Sequence, residues 1–497
     1  MRQSSLKYGF TLLLIASLAW GCSSSTTETV VIRDQPRTVT AQPDTTIPAA
    51  TFNQLNIGLI DSVTNFDPLF ASNLSTQRVI RLIYEGLFTV NRDGEPVPQL
   101  IKEYTVSDDG LIYTIELHSD RFYHDSEAFS TGIGRRLNAM DVKRSIMRSA
   151  KMTVPQTASQ LFMNIRGYEP YFQEQRLEFN PANRKLRDVE GIEVTGTFTL
   201  RIRLLTPDPD FKLKLASPFA VIYPHEALRN DEMGLFRRPV GTAAYRLNRV
   251  ERPGYMILSR HQNYSPGIAE AAPFNRIDIY TITNESELFQ KFARQELDLI
   301  PEIGIQTVQS VADSSGTIIT AYADRYRLYH GNGSRKLSVY LNTESDYDLN
   351  PVKNLWDETL PDRYFNVPGL QVRFNTVQYD TTEGTGPLEF YLTTYTQDYL
   401  SRNILNTVST QLFQPAESSV RFMELAVPNR NAAFYTKSSD SWHSRFITSS
   451  DRGFTLAEAS FSQWAISHRY VSGFSTNDVP WWLPVTSIRI NEQLRNQ

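Results

Sequence analysis

A single cysteine, Cys22, stands in a chain of 497 residues. One thiol forms no internal disulfide and no cysteine-based metal site, so the fold has to be held by packing. The material is present: 40% of the residues are hydrophobic and 11% aromatic, against 21% charged, ample for a large core. Length alone suggests about three domains. Wholesale disorder, collagen and coiled coil are excluded by the same composition. The net charge is −4, from 50 basic and 54 acidic residues. That balance argues against nucleic acid as a main partner, because phosphate neutralisation needs a clustered basic excess.

The place of Cys22 is informative. Arg2 and Lys7 precede an apolar run from Phe10 to Trp20, closed by Gly21-Cys22. The run is too short for a bilayer, which needs roughly 20 residues. The segment resembles a bacterial lipobox, with Ala19 and Trp20 where that motif prefers Leu and a small residue, and Leu18 one place early. Residues 1–21 are then a signal peptide and Cys22 is lipidated; the other reading is an ordinary cleaved signal with an incidental cysteine. A lipidated Cys22 implies a cell-envelope protein, anchored to a membrane and facing the periplasm or the exterior. Residues 22–51 read as a flexible tether, because they are rich in Ser, Thr and Pro, lack aromatics and cannot bury enough surface to fold. Its reach is about 30 Å.

Beyond the tether, Leu55, Ile57 and Leu59 alternate with Asn56, Gly58 and Ile60 as a strand, and a loop follows over 61–68. Val79, Ile80, Ile83 and Leu87 share one face of a helix predicted over 76–88. Asp93-Gly94 marks a turn. Ser107–Gly110 is turn chemistry, and Tyr113, Ile115 and Leu117 then alternate as a half-buried strand. Asn138 can cap a helix, with Asp141 in its first turn and Leu137 and Val142 at staple spacing. Hairpins are predicted over 189–205 and over 240–258. A helix is predicted over 285–296, with Leu288, Phe289, Phe292 and Ala293 inward, then a strand over 297–300. Residues 344–387 read as irregular.

Several of these segments together resemble the bacterial extracellular solute-binding proteins of family 5, the class of ABC-importer receptors that bind peptides and nickel chelates. Phe66-Asp67-Pro68 followed by Ile83-Tyr84-Glu85-Gly86-Leu87 resembles the family's opening strand, loop and helix. Phe122-Tyr123-His124-Asp125 and Asn138-Ala139-Met140-Asp141-Val142 resemble its "FHDG" and "TAEDV". The run from Pro239 to Leu247 resembles "PVGTGPYKL", Arg260 to Tyr264 resembles "RNPDYW", and Glu296 to Ile300 resembles "GEIDI". Gln295 replaces a usual Gly, and Ala243-Ala244 replace Gly-Pro.

The resemblance implies an α/β fold of the periplasmic binding-protein type, class II and cluster C, with two lobes and an extra subdomain. It implies a discontinuous lobe I over 52–95, 218–306 and 465–497. The extra subdomain would span 96–217, and lobe II 307–464. Lobe II looks shortened, because the family's two-helix "VRQALAYAIDR" stretch is missing after Leu341-Asn342-Thr343. A predicted strand near 388–392, a helix near 400–413 and a strand near 420–425 would build it.

By the same resemblance the chain captures peptides or similar small solutes by closing two lobes, delivers them to ABC permease subunits, works as a monomer and needs no cofactor. Ala71, Ser72 and Asn73 would contribute ligand contacts. Asp440 beside Trp442 would hold a peptide ammonium, although Ser438–Ser441 also reads as a surface turn. The competing reading is a degenerate member serving as a structural or interaction protein of the envelope. An enzyme is a third reading. The chain has no HExxH, GxSxG or Walker loop, and its one SxxK, Ser4 to Lys7, lies in the signal. His118 and His124-Asp125 read as scaffold rather than metal ligands, Gly331-Asn332-Gly333 as a loop rather than a phosphate nest, and Trp481-Trp482 as core packing rather than a stacking platform.

Overall fold

In the computed structural model the described residues are 53–229, 231–264, 272–341, 370–374, 389–394, 400, 403, 421–425, 434–440, 443–445 and 454–496. The signal peptide, Cys22, the tether, Trp442 and most of the helix expected over 400–413 lie outside them. Phe52–Gln497 form one compact unit.

The chain enters through β1 (Gln54–Leu59). Leu55, Ile57, Leu59 and also Ile60 are fully buried, so the strand is covered on both faces rather than one. Asn73 then caps α1 (Leu74–Ile83): its Oδ1 accepts from Thr76 N at 2.8 Å. The helix is shorter than its apolar spacing predicts. Tyr84 turns to extended backbone, its hydroxyl donates to Phe66 O at 3.1 Å, and Gly86 bridges to Val221. Leu87 is therefore buried in a connecting loop and not on the helix.

A four-stranded antiparallel sheet follows, made of β2 (Ile101–Val106), β3 (Ile112–Leu117), β4 (Ile192–Val194) and β5 (Thr199–Arg203) in the order β2-β3-β5-β4. Gly110 takes φ +71° at the first turn, a conformation that glycine adopts without steric cost. The helices α2 (Ala139–Arg148) and α3 (Tyr168–Leu177) lie between β3 and β4 in the chain. Asn138 and Asp141 form a reciprocal capping box at the start of α2. From the end of that helix Arg148 grips Asp67 through two bonds of 2.8 and 2.5 Å, which ties this layer to the loop after β1.

The next hairpin is β6 (Tyr245–Arg252) and β7 (Tyr255–Arg260). Val240 to Ala244 remain a buried loop, because Gly241 is pressed against the end of α1: a Cβ there would stand 2.0 Å from Ile83 O. β8 (Arg276–Thr281), α4 (Glu285–Ala293) and the short β9 (Leu299–Ile300) follow, with α5 (Ile305–Val311) after them. Leu288 and Phe292 are buried and Phe289 half-buried, but Ala293 is exposed, since α4 ends there. Gln295 adopts φ +61°, a left-handed conformation where a glycine would be unstrained.

Two long strands complete the frame. β10 (Tyr326–Leu341) pairs antiparallel with a second long strand, Phe454–His468, from Tyr326↔His468 to Leu341↔Phe454. Gly331-Asn332-Gly333 is not a loop; it lies inside β10, where the register slips between Gly331 and Ser334. Part of the stretch expected to be irregular is β11 (Leu370–Phe374). β12 (Glu389–Thr394), β13 (Arg421–Leu425), β14 (Phe434–Asp440) and the long β15 (Phe454–His468) finish the set. One sheet runs β13-β12-β14-β10-β15-β9-β1-β8-β7-β6, with β11 also pairing β15. β1 is parallel to both its neighbours, which explains its burial on two faces.

Candidate functional site

β15 belongs to two parts of the sheet. One flank pairs β10 along its length. On the other flank Ile466 and Ser467 pair β9, whereas Ala457 to Phe461 pair β11. Between those partners side chains take over the stitching. Gln463 Nε2 donates to Pro301 O at 3.2 Å and to Pro480 O at 3.4 Å, and Ile303 N donates to Trp464 O at 2.9 Å.

This junction adjoins the C-terminal ends of the parallel strands β1 and β9, the edge at which α/β sheets form their binding crevices. Glu302 follows β9 directly. Arg78 reaches it from α1, with Nη1 donating to Glu302 Oε2 at 2.7 Å and Nη2 to Pro480 O at 2.6 Å. The two side chains are 1% and 5% exposed. Buried polar atoms are normally paired. Among the described residues, however, Gln77 Oε1, Arg78 Nε, Gln463 Oε1 and Trp464 Nε1 are buried without a partner. The Trp464 ring stacks on His330 at 4.4 Å, and burial lowers the pKa of that imidazole. The spare hydrogen-bonding capacity of Gln463 and Arg78 lies on one side of the sheet and the Trp464–His330 pair on the other, since successive strand residues face opposite ways.

The residues singled out from sequence fall close by. Ala71 is fully buried, and its carbonyl accepts from Gln77 Nε2 at 3.1 Å. Ser72 is exposed. Asn73 uses its side chain on the helix cap and on Ser62 O at 3.0 Å, so direct contact with a solute would fall first to Ser72 and the backbone. Asp440 ends β14 opposite Arg335. Three residues on, His443 Nε2 lies 3.1 Å from Ser217 Oγ, and its ring is 5.1 Å from that of Phe219. The turn Pro218–Ala220 packs against Pro68–Phe70, which leads into Ala71. His443 thus lies against the turn that packs on Pro68–Phe70.

His124 serves the scaffold: Nε2 lies 2.8 Å from Ala243 O, and Nδ1 accepts from Gly241 N at 3.3 Å. Burial, with the neighbouring His261 ring, pushes its pKa down to about 3. Trp481 is fully buried, as core packing requires. A separate half-open hollow of about 590 Å³ lies beside the β6–β7 hairpin, lined in part by Phe66, Asp125, Arg238 and Arg246.

Sequence reasoning passed over Arg78 and Glu302. A signal existed for the first: Arg78 lies on one helical ridge with Leu74 and Leu82, a position that fits a buried residue.

Residues 95–357 match the family model for bacterial extracellular solute-binding proteins, family 5 Middle, which is more than half of the chain. The chain belongs to this family. Among curated relatives of the family-5 chain, the glutathione-binding protein GsiB of Pectobacterium atrosepticum is 27% identical over 213 residues, covering 42% of this chain and 34% of that protein. GsiB of Salmonella typhi is 26% identical over 217 residues, covering 44% and 36%. The match thus spans about a third of the length of these relatives. The fold extends further. OppA of Haemophilus influenzae in complex with RPPGFSPFR aligns with a TM-score of 0.68 at 12% identity, over 88% of this chain and 99% of that one. The murein tripeptide binding protein MppA of Escherichia coli aligns at 0.65 and 14% identity, over 89% and 99%. The architecture is the two-lobed α/β fold of periplasmic binding proteins.

Proposed function

We propose that this family-5 chain captures a small solute, a peptide foremost, between two lobes and delivers it to an ABC permease. The observation that carries the reading is the junction. Two strands alone, β10 and β15, continue from one part of the sheet to the other among the described residues, and buried atoms of Arg78 and Gln463 lack partners beside them. A cleft spanned by few strands can close as a hinge, and a ligand that touches both sides favours the closed state.

In this reading lobe I is built from 52–95, 218–306 and 465–497, the extra subdomain from 96–217 and lobe II from 307–464. Ala71, Ser72 and Asn73 meet the solute from lobe I. Asp440, with Trp442 beside it in sequence, meets it from lobe II, where a carboxylate would offset a buried ammonium. Residues 1–21 are removed, and Cys22 carries the lipid that holds the protein in the envelope.

The test is thermal unfolding of the body from residue 53 with peptide pools, and with glutathione because curated relatives carry that name. A ligand that binds only the native state raises the midpoint by mass action. A concentration-dependent rise that disappears in Asp440→Asn and Ser72→Trp variants is expected. No shift with any pool would favour an envelope protein that has lost solute capture, a reading that the missing two-helix stretch of lobe II also supports.

A further inference from the structure

The last turn of α3 and the segment that folds back beside it form a tip on the four-stranded layer. Leu177 is 72% exposed and Phe179 is 75% exposed. Leu186 is exposed as well. The backbone beneath them is well tied. Arg184 Nε donates to Glu178 O at 3.1 Å, and its Nη1 donates to Gln175 Oε1 at 2.9 Å. The amides of Lys185 and Leu186 donate to the Glu174 carboxylate at 2.8 and 2.6 Å, and Arg187 Nη1 donates to Pro181 O at 3.2 Å. Arg176 reaches Val154 O at 2.5 Å, which brings in the loop carrying the exposed Met152. The apolar side chains are therefore presented by a fixed scaffold.

The charges around them have one predominant sign. Arg176, Arg184, Lys185 and Arg187 form no ion pair among the described residues. Of the nearby acids, Glu174 is held by two backbone amides. Asp188 is engaged by Lys143, and Glu190 by Arg166. Residues 174–187 hold these four cations against Glu174 and Glu178, a local positive excess on a chain whose net charge is −4.

We propose that this tip is a contact surface for an anionic lipid bilayer. Protruding aromatic and aliphatic side chains beside the exposed cations of Lys185 and Arg187, which also neutralise Glu174, are the chemistry of an interfacial membrane contact: the apolar groups enter the acyl boundary while the cations meet lipid phosphates. None of the described hollows is lined by Leu177, Phe179 or Leu186, whereas a protein interface typically offers a pocket for an anchoring side chain. The contact is separate from solute capture and uses none of its residues. In an envelope-anchored protein it would orient the body against the membrane.

The experiment is vesicle flotation of the body from residue 53, which forms its own compact unit. Vesicles of equal parts phosphatidylglycerol and phosphatidylcholine are compared with pure phosphatidylcholine, at low and high salt. Binding to the anionic vesicles at low salt, release by salt and no binding to pure phosphatidylcholine are expected. The pair Lys185→Glu and Arg187→Glu should weaken partitioning on the order of tenfold or more, and the pair Leu177→Ser and Phe179→Ser by a similar factor. Both double variants should unfold at the wild-type temperature, since these groups are exposed. Absence of binding to anionic vesicles, undiminished binding by the variants, or equal binding to zwitterionic vesicles would each overturn the proposal. So would cross-linking of residues 177–187 to a permease subunit without any vesicle binding, which would make the tip a protein interface.

Discussion

Arg78 donates to Glu302 across 2.7 Å with both side chains sealed from water. Glu302→Ala leaves a buried guanidinium uncompensated and should cost about 3–5 kcal/mol. Arg78→Met combined with Glu302→Leu should recover most of that loss, because two apolar side chains leave no buried charge unpaired. Urea unfolding of the three proteins measures both. A single variant within 1 kcal/mol of wild type, roughly the value of an exposed pair, would mean that the pair is solvated.

Gly241 sits where α1 ends, with a hypothetical Cβ 2.0 Å from Ile83 O and 2.7 Å from Ile83 C. Both neighbours are backbone in the core, so Gly241→Ala must push a helix end or the 240–244 loop outward. A loss of about 3 kcal/mol is expected. Thermal unfolding with an unchanged midpoint would contradict the packing described.

Gln295 offers the opposite change. Its left-handed backbone costs a non-glycine residue about 1–2 kcal/mol, part of which a glycine returns through its freer unfolded chain. Gln295→Gly should therefore stabilise the protein by about 0.5–1 kcal/mol in denaturant titrations. A loss of stability would show that the Gln side chain contributes more than its backbone costs.

Acid should weaken the fold through histidine. Burial first, then the adjacent His261 ring, hold His124 at about 3 against an ordinary value of 6.5, and burial lowers His261 and His468 as well. As the pH falls below about 6.5 the unfolded chain takes up protons that the folded chain refuses. Stability is therefore present above that value and is lost on the way down, at about 1.4 kcal/mol per pH unit for His124. The urea midpoint should drop steeply below roughly pH 6, and His124→Gln should flatten that slope even though it lowers stability near neutrality. An identical slope in the variant would remove His124 from the account.

Much of the frame was legible locally. The cap at Asn138, the turns at Gly94 and Gly110, and the alternation of Tyr113, Ile115 and Leu117 are short-range chemistry, and each appears where the residues indicate; Asn73, read as a solute contact, instead caps a helix that starts earlier than its apolar spacing predicts. The failures are long-range. Gly331-Asn332-Gly333 looks like a break, yet β15 captures it as a bulge from far along the chain. Ile60 seemed to face outward, but β1 lies inside a parallel part of the sheet, which is packed on both faces. Leu87 kept a helical spacing that the bridge from Gly86 to Val221 overrides. At the site, the existence of α1 could be found from sequence, but the pairing of Arg78 with Glu302 and the contact of His443 with Ser217 exist only once distant segments meet.

Leu341 and Phe454 are partners on a single rung of the β10–β15 ladder. Between them β14 pairs β10, β11 pairs β15, and His443 meets Ser217, so the excursion touches the frame at several further points. A tight turn joining these two positions would close a hairpin and leave the pairings of β1, β8 and β9 intact. A chimaera carrying a foreign insert between these positions would therefore keep the scaffold only if the insert also supplies strands to the edges of β10 and β15 and a side chain against Ser217.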